Sequence, residues 1–203
     1  VFEFSGTGLS REPSRSANLF AAEQAKAAGA TVVLDLDFRP NQWHDARAFG
    51  VTVRAALPLV DIVLGTEDEC KAANLTDPTQ VNVSHSQISG ARVAGDVENA
   101  VQSMQRHGPK LIVVKRGEKG ATLFPTDGQL TDVPGFPVEV YNVLGAGDAF
   151  AHRVRHGDAL GHAGAAHGHE RHDVYGADAR VGARVLAQVN QLNCLGDDGE
   201  HRL

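Results

Sequence analysis

A chain of 203 residues has room for one sizeable domain, since a core of that size buries roughly 70 % of the surface its unfolded chain exposes. Its 42 % hydrophobic and 22 % charged content, with 22 glycines, belongs to an ordinary α/β protein and excludes disordered, collagenous and membrane-spanning classes. A net charge of −6 without a visible basic patch argues against a phosphate-tracking nucleic-acid binder and leaves small molecules as the expected partners.

The run from Pro13 to Gly29 predicts a helix, with Pro at its opening, alanines inside and Gly as its stop. Thr31–Leu34 is a short apolar, β-branched strand that ends in the polar loop Asp35–Pro40. A second helix is expected over Asp45–Ala56, a strand over Asp61–Leu64 and a third helix from about Glu67. The stretch 74–95 shows no clear periodicity. Val97, Val101 and Met104 mark a helix over Asp96–His107, which Gly108 and Pro109 stop before the strand Leu111–Val114. Ala121–Phe124, Gln129–Val133 and Val138–Tyr141 then predict a short antiparallel meander.

Unbroken apolar strands separated by helix-sized segments indicate a parallel sheet covered on both faces. Sites in such sheets lie beyond the carboxyl ends of the strands, so the loops 35–39, 65–69 and 115–120 are expected to share one edge. Cys70 and Cys194 have neither metal-site spacing nor the density of a disulfide scaffold, which points to a reducing, cytoplasmic compartment. No apolar run approaches the ~20 residues that span a bilayer. The chain opens on Val1 rather than Met, so a fragment is expected.

Gly145-Ala146-Gly147-Asp148 follows a strand candidate and can open a helix. Small residues at such a turn let several N–H groups face one phosphate, and the helix dipole adds partial positive charge there. Asp148 at the same turn suits proton acceptance from an attacking hydroxyl, while the structural alternative is a tight turn with a helix cap. Arg39 has a planar fork that matches a carboxylate or phosphate; its structural alternative is an ion pair with Asp35 or Asp37. Lys115–Ala121 reads by itself as a charged β-turn, and it lacks the Gly-Lys-Ser/Thr of a Walker A loop. Glu67-Asp68-Glu69 reads by itself as an acidic helix start.

Taken in order, these segments resemble the PfkB carbohydrate kinases. Gly145–Asp148 is similar to that family's carboxy-terminal signature, which implies an anion hole at Gly145, Ala146 and Gly147 and a catalytic base at Asp148. Asn142-Val143-Leu144 stands where the family usually has Asp-Thr before the loop. Thr66-Glu67-Asp68-Glu69 is similar to the family's Asn-x-x-Glu element, implying that Glu69 lies near magnesium, an oxygen-seeking ion commonly held by one or two carboxylates plus substrate phosphates. Lys115, Gly117, Gly120 and Thr66 are implied at the nucleotide. Ser5–Arg15 and Asp35–Trp43 resemble one branch of the family, implying Arg39 and Asp37 at substrate or phosphate.

The resemblance therefore implies a ribokinase-like three-layer α/β/α fold with a mostly parallel central sheet, incomplete at its amino end and with the carboxyl end as a second candidate for incompleteness. It also implies ATP and Mg2+ as cofactors, with K+ as a further monovalent candidate, and a homo-oligomer as a candidate assembly. The implied reaction is phosphorylation of a sugar or sugar-acid hydroxyl. In the branch concerned the acceptor is 5-dehydro-2-deoxygluconate at its 6-hydroxyl; 2-keto-3-deoxygluconate, fructose and ribose are the alternatives, as is a silent remnant.

The resemblance covers residues 1–150, expected to form the kinase core. Residues 151–203 are expected to be an atypical His- and Gly-rich tail, disordered or frame-shifted, in which only Val154 and Leu160 could continue an apolar stripe from Phe150. His152 and His156 are one helical turn apart and could share a metal, but six histidines spread over residues 152–172 of a Gly-rich tail read as compositional. Asn82-Val83-Ser84 matches a glycosylation acceptor and carries little meaning without a secretion signal.

Overall fold

The structure is a computed structural model that describes residues 1–83, 91–136, 145–156 and 184–185. It divides into two compact units, one of residues 1–115 with 124–130 and one of residues 116–123 with 131–203.

In the first unit four parallel strands stand side by side in the order β1 (Phe2–Ser5), β2 (Val32–Asp35), β3 (Ile62–Thr66) and β6 (Leu111–Lys115). Between them run α1 (Ser14–Ala27), α2 (Ala46–Ala56), α3 (Glu67–Ala72) and α4 (Val97–Gln105). β2 is buried along its whole length, and Leu111–Val114 of β6 likewise, which is why both read as continuous apolar runs rather than alternating ones. α2 turns Phe49, Gly50, Val53 and Ala56 inward at helical spacing, and α4 does the same with Ala100, Val101 and Met104. Asp45 and Asp96 cap these two helices by accepting the N–H groups of Arg47 and Asn99.

Two elements differ from the sequence expectation. β1 was not expected, because Phe-Glu-Phe-Ser is too short for its alternation to stand out; pairing with β2 from Phe2 to Ser5 is what makes it a strand. The aperiodic stretch 74–95 holds a small separate hairpin, β4 (Val81–Val83) with β5 (Ala91–Val93), preceded by a 3-10 turn at Pro78–Gln80. Three residues per strand are too few for periodicity to register.

In the second unit residues 121–123 of β7 (Ala121–Pro125) pair antiparallel with β8 (Thr131–Val133), and α5 (Ala146–His156) follows. The expected third meander strand, Val138–Tyr141, lies outside the described residues. α5 runs through Phe150 without a break and buries Phe150, Ala151 and Val154. Of the expected tail, residues 157–203 lie outside the described residues except for 184–185.

Candidate active site at the strand ends

The four parallel strands of the first unit finish together at Ser5, Asp35, Thr66 and Lys115. Register pairs Asp35 with Leu64 and Thr66 with Lys115, and residues two apart share a face, so Asp35, Thr66 and Lys115 project from the same face. Lys115 Nζ crosses β3 to donate to Asp35 Oδ1 at 2.9 Å, with both side chains nearly buried. Burial pushes the Asp35 carboxyl up to about 6 against the pull of Lys115, and the Glu69 and Asp37 charges push the same way. Burial works against the Lys115 ammonium as well, but Asp35, Glu69 and Asp37 more than compensate and hold it above its ordinary value. Lys115 thus feels the charge of three acids, Asp35, Glu69 and Asp37.

Asp37 has a positive φ of 37°, a left-handed turn that lets both its oxygens be used. Thr7 Oγ1 donates to Oδ2 at 3.0 Å and Arg39 Nε to Oδ1 at 2.8 Å, so the loops after β1 and β2 are tied together. Arg39, half exposed, therefore meets Asp37, one of the two partners its structural reading named. Glu69 sits third in α3 and closes a capping box: its Oε2 accepts the Thr66 N–H at 2.7 Å, and Thr66 Oγ1 accepts the Glu69 N–H at 3.3 Å. A carboxylate held this way keeps Oε1 outside that bond, and one such oxygen suits a magnesium ion that takes most of its ligands from water and phosphate. Among the described residues no three His, Cys, Asp or Glu converge as a self-sufficient metal cage.

In the second unit, Gly117–Lys119 form a 3-10 turn in which Gly120 N–H donates to Gly117 O and Arg116 N–H to Gly120 O. Gly120, at φ +93°, is backed by Val133 O and the Gly135 N–H so closely that a Cβ would collide with them. Gly117, at φ +59°, faces open space. Its lack of a side chain serves the backbone turn and leaves that side approachable.

Gly145, at φ +79°, ends the loop, and its carbonyl accepts the Ala149 N–H to start α5. Ala146, Gly147 and Asp148 occupy the first turn, where N–H groups have no partner inside the helix. Asp148 is exposed at the third position of α5. Three outward N–H groups with a carboxylate beside them can hold an anion and take a proton next to it.

Asp35, Asp37, Arg39, Thr66, Glu69 and Lys115 belong to the first unit, and Gly117, Gly120, Gly145, Ala146, Gly147 and Asp148 to the second. Sequence reasoning missed the Asp35–Lys115 pair. A charged residue directly after each apolar run was the available signal, but only register shows that two strand ends separated by a third can reach each other.

This mostly parallel sheet with helices packed on it and charged groups at its carboxyl edge has ribokinase-like neighbours among solved structures, which give the chain its fold. The aminoimidazole riboside kinase of Salmonella enterica superposes with a TM-score of 0.61 at 25 % identity, over 75 % of this chain and 45 % of that one. A double mutant of the fructokinase of Vibrio cholerae O395, in its fructose, ADP and potassium ion bound form, gives 0.60 at 25 % identity over 75 % and 43 %. Residues 1–151 match the model of the pfkB family carbohydrate kinases, and the chain belongs to that family. Curated relatives include the 5-dehydro-2-deoxygluconokinases of Clostridium beijerinckii, 29 % identical over 153 residues (75 % of this chain, 41 % of the relative), and Bacillus licheniformis, 31 % identical over 153 residues (75 % and 42 %). The chain spans about two fifths of the length of these relatives.

Proposed function

We propose that this protein transfers the terminal phosphoryl group of ATP to a hydroxyl of a sugar acid, the 6-hydroxyl of 5-dehydro-2-deoxygluconate. The observation that carries the reading is Asp148 in the first turn of α5, beside the N–H groups of Ala146 and Gly147. In this reading Asp148 accepts the proton of the acceptor hydroxyl as its oxygen bonds to phosphorus and the bond to the leaving ADP oxygen breaks. The first-turn N–H groups face the charge that builds on the transferring group, where fixed donors are worth most. In this reading Gly117 and Gly120 let backbone approach the nucleotide, and Lys115 and Thr66 are the other residues assigned to it. Mg2+ bound near Glu69 supplies charge neutralisation to the phosphates, and K+ is a further candidate ion. Arg39 and Asp37 stand toward the acceptor. The free, buried Cys70 agrees with a reducing, cytoplasmic setting, and a homo-oligomer is the proposed assembly.

ATP, magnesium and a panel of 5-dehydro-2-deoxygluconate, 2-keto-3-deoxygluconate, fructose and ribose, with ADP release as readout, decides the acceptor. Asp148→Asn should lower kcat by about 10²- to 10⁴-fold with folding unchanged. Undiminished activity in that variant would remove the proposed base. No ADP release with any acceptor would favour a catalytically silent segment, the reading that the partial span of the relatives motivates.

A further inference from the structure

We propose that the cleft between the loop after β1 and the loop after β2 is a binding site for a small hydroxylated carboxylate. Ser10, Arg11 and Arg15 line one side, Gln42, Trp43 and His44 another, and Ala48 and Thr52 of α2 complete a cavity of about 290 Å³. Its lining holds two guanidinium groups and a histidine but no Asp or Glu. The acids that neighbour it in sequence are engaged: Glu12 accepts from the Ser16 hydroxyl and N–H, and Asp45 from the Arg47 side chain and N–H. Their charges still reach Arg15 and His44 from outside, but no acid on the cleft's own walls answers its positive charge.

The site is also built rather than accidental. Arg15 Nε donates to Leu9 O at 2.8 Å and Nη2 to Ser10 O at 2.9 Å, which fixes the guanidinium while leaving it further N–H groups to donate. Trp43 is 8 % exposed and locked edge-on against Phe49, with ring centroids 5.5 Å apart. Its Nε1 is buried with no hydrogen-bond partner among the described residues, an orphan donor of a kind that folded proteins rarely keep. The Thr7–Asp37 hydrogen bond joins the two loops, so the cleft's walls are held to each other.

Size selects the occupant. A bare inorganic ion fills a few water volumes of about 30 Å³ each, whereas this cavity approaches the ~300 Å³ at which small-molecule sites begin. A carboxylate fits the arginine fork, and a short polyol chain fits the remaining polar wall of Ser10, Gln42 and Thr52. That the carboxylate is the phosphoryl acceptor's own rests on the kinase reading above; that the cleft takes a carboxylate does not.

Trp43 is the single tryptophan of the chain, so its emission reports on this cleft directly. Titration with D-gluconate should change it saturably, while the uncharged analogue D-glucitol should not. Arg11→Gln, at an exposed position whose replacement spares the core, should raise the half-saturating gluconate concentration about tenfold, the usual loss for a charge-assisted contact. Arg15→Gln should do so more strongly, with its circular dichroism checked because two carbonyls lose a donor. No saturable change, an equal response to glucitol, or unchanged binding in Arg11→Gln would overturn the proposal. With an active acceptor in hand, a raised acceptor KM at constant kcat in Arg11→Gln assigns the site to the acceptor's carboxylate. An unchanged KM alongside the lost Trp43 signal assigns it to a separate carboxylate effector. A chain without transferase activity still reports binding through Trp43, so the two readings fail separately.

Discussion

Asp35 is the side chain whose ionisation costs this fold most visibly. It is nearly buried, and its carboxyl is raised from 3.8 to about 6, so the folded state takes up a proton more readily than the unfolded chain. A raised carboxyl contributes stability that is fully present below its unfolded value and is lost as pH rises through its folded one. Between about pH 4 and pH 6 the unfolding free energy should therefore fall by about 1–3 kcal/mol on Asp35's account. Asp45, Asp77 and Glu12 shift the other way, so their contributions are present above their ordinary values of 3.8 and 4.5 and fade as pH falls through those values, overlapping the lower edge of that window. Urea denaturation of the wild type and Asp35→Asn across this range isolates the effect. Parallel curves would mean that burial does not govern this carboxyl. Lys115 stays cationic throughout, and this is why the pair persists at neutral pH despite its burial.

At the scale of elements, the glycine-rich turn before β7 shows two glycines used for different reasons. Gly120 is confined both by its φ of +93° and by the backbone of Val133 and Gly135, whereas Gly117 is confined by φ alone. Gly117→Ala should cost about 1–2 kcal/mol, the ordinary left-handed penalty, and Gly120→Ala distinctly more, because backbone rather than a flexible side chain must give way. Denaturant midpoints of the two variants test the order, and equal losses would contradict the packing described. Capping tells a similar story. Thr66 and Glu69 were read from sequence as a site element, and the structure uses them first as a reciprocal cap that lets a helix of six residues begin at the end of β3. A carboxylate oriented by a cap is held in place before any ion arrives.

Across the whole molecule, burial is uneven, and this predicts where the backbone opens. β2 and β3 are flanked on both sides by parallel neighbours and are mostly buried, while the β4–β5 hairpin stands apart as a two-stranded sheet. Amide exchange should be slowest at Val33, Leu34, Val63 and Leu64 and faster by orders of magnitude at Val81 and Asn82. Uniform protection across both would argue that the hairpin belongs to the main cooperative unit. What the sequence determined alone was local: continuous apolar runs named β2, β3 and β6, apolar spacing and the stop at Gly108 and Pro109 named α4, and order along the chain named the family. The glycine turns could be found because their residue types are demanded by backbone geometry within a few positions. Only tertiary structure decided that Asp35 answers Lys115 across an intervening strand, that Thr7 ties one loop to Asp37 of another, and that two arginines share a cleft with Trp43. Those pairings join residues up to 80 positions apart, and strand register, on which they depend, is set by how neighbouring segments share backbone hydrogen bonds rather than by anything written within a single segment.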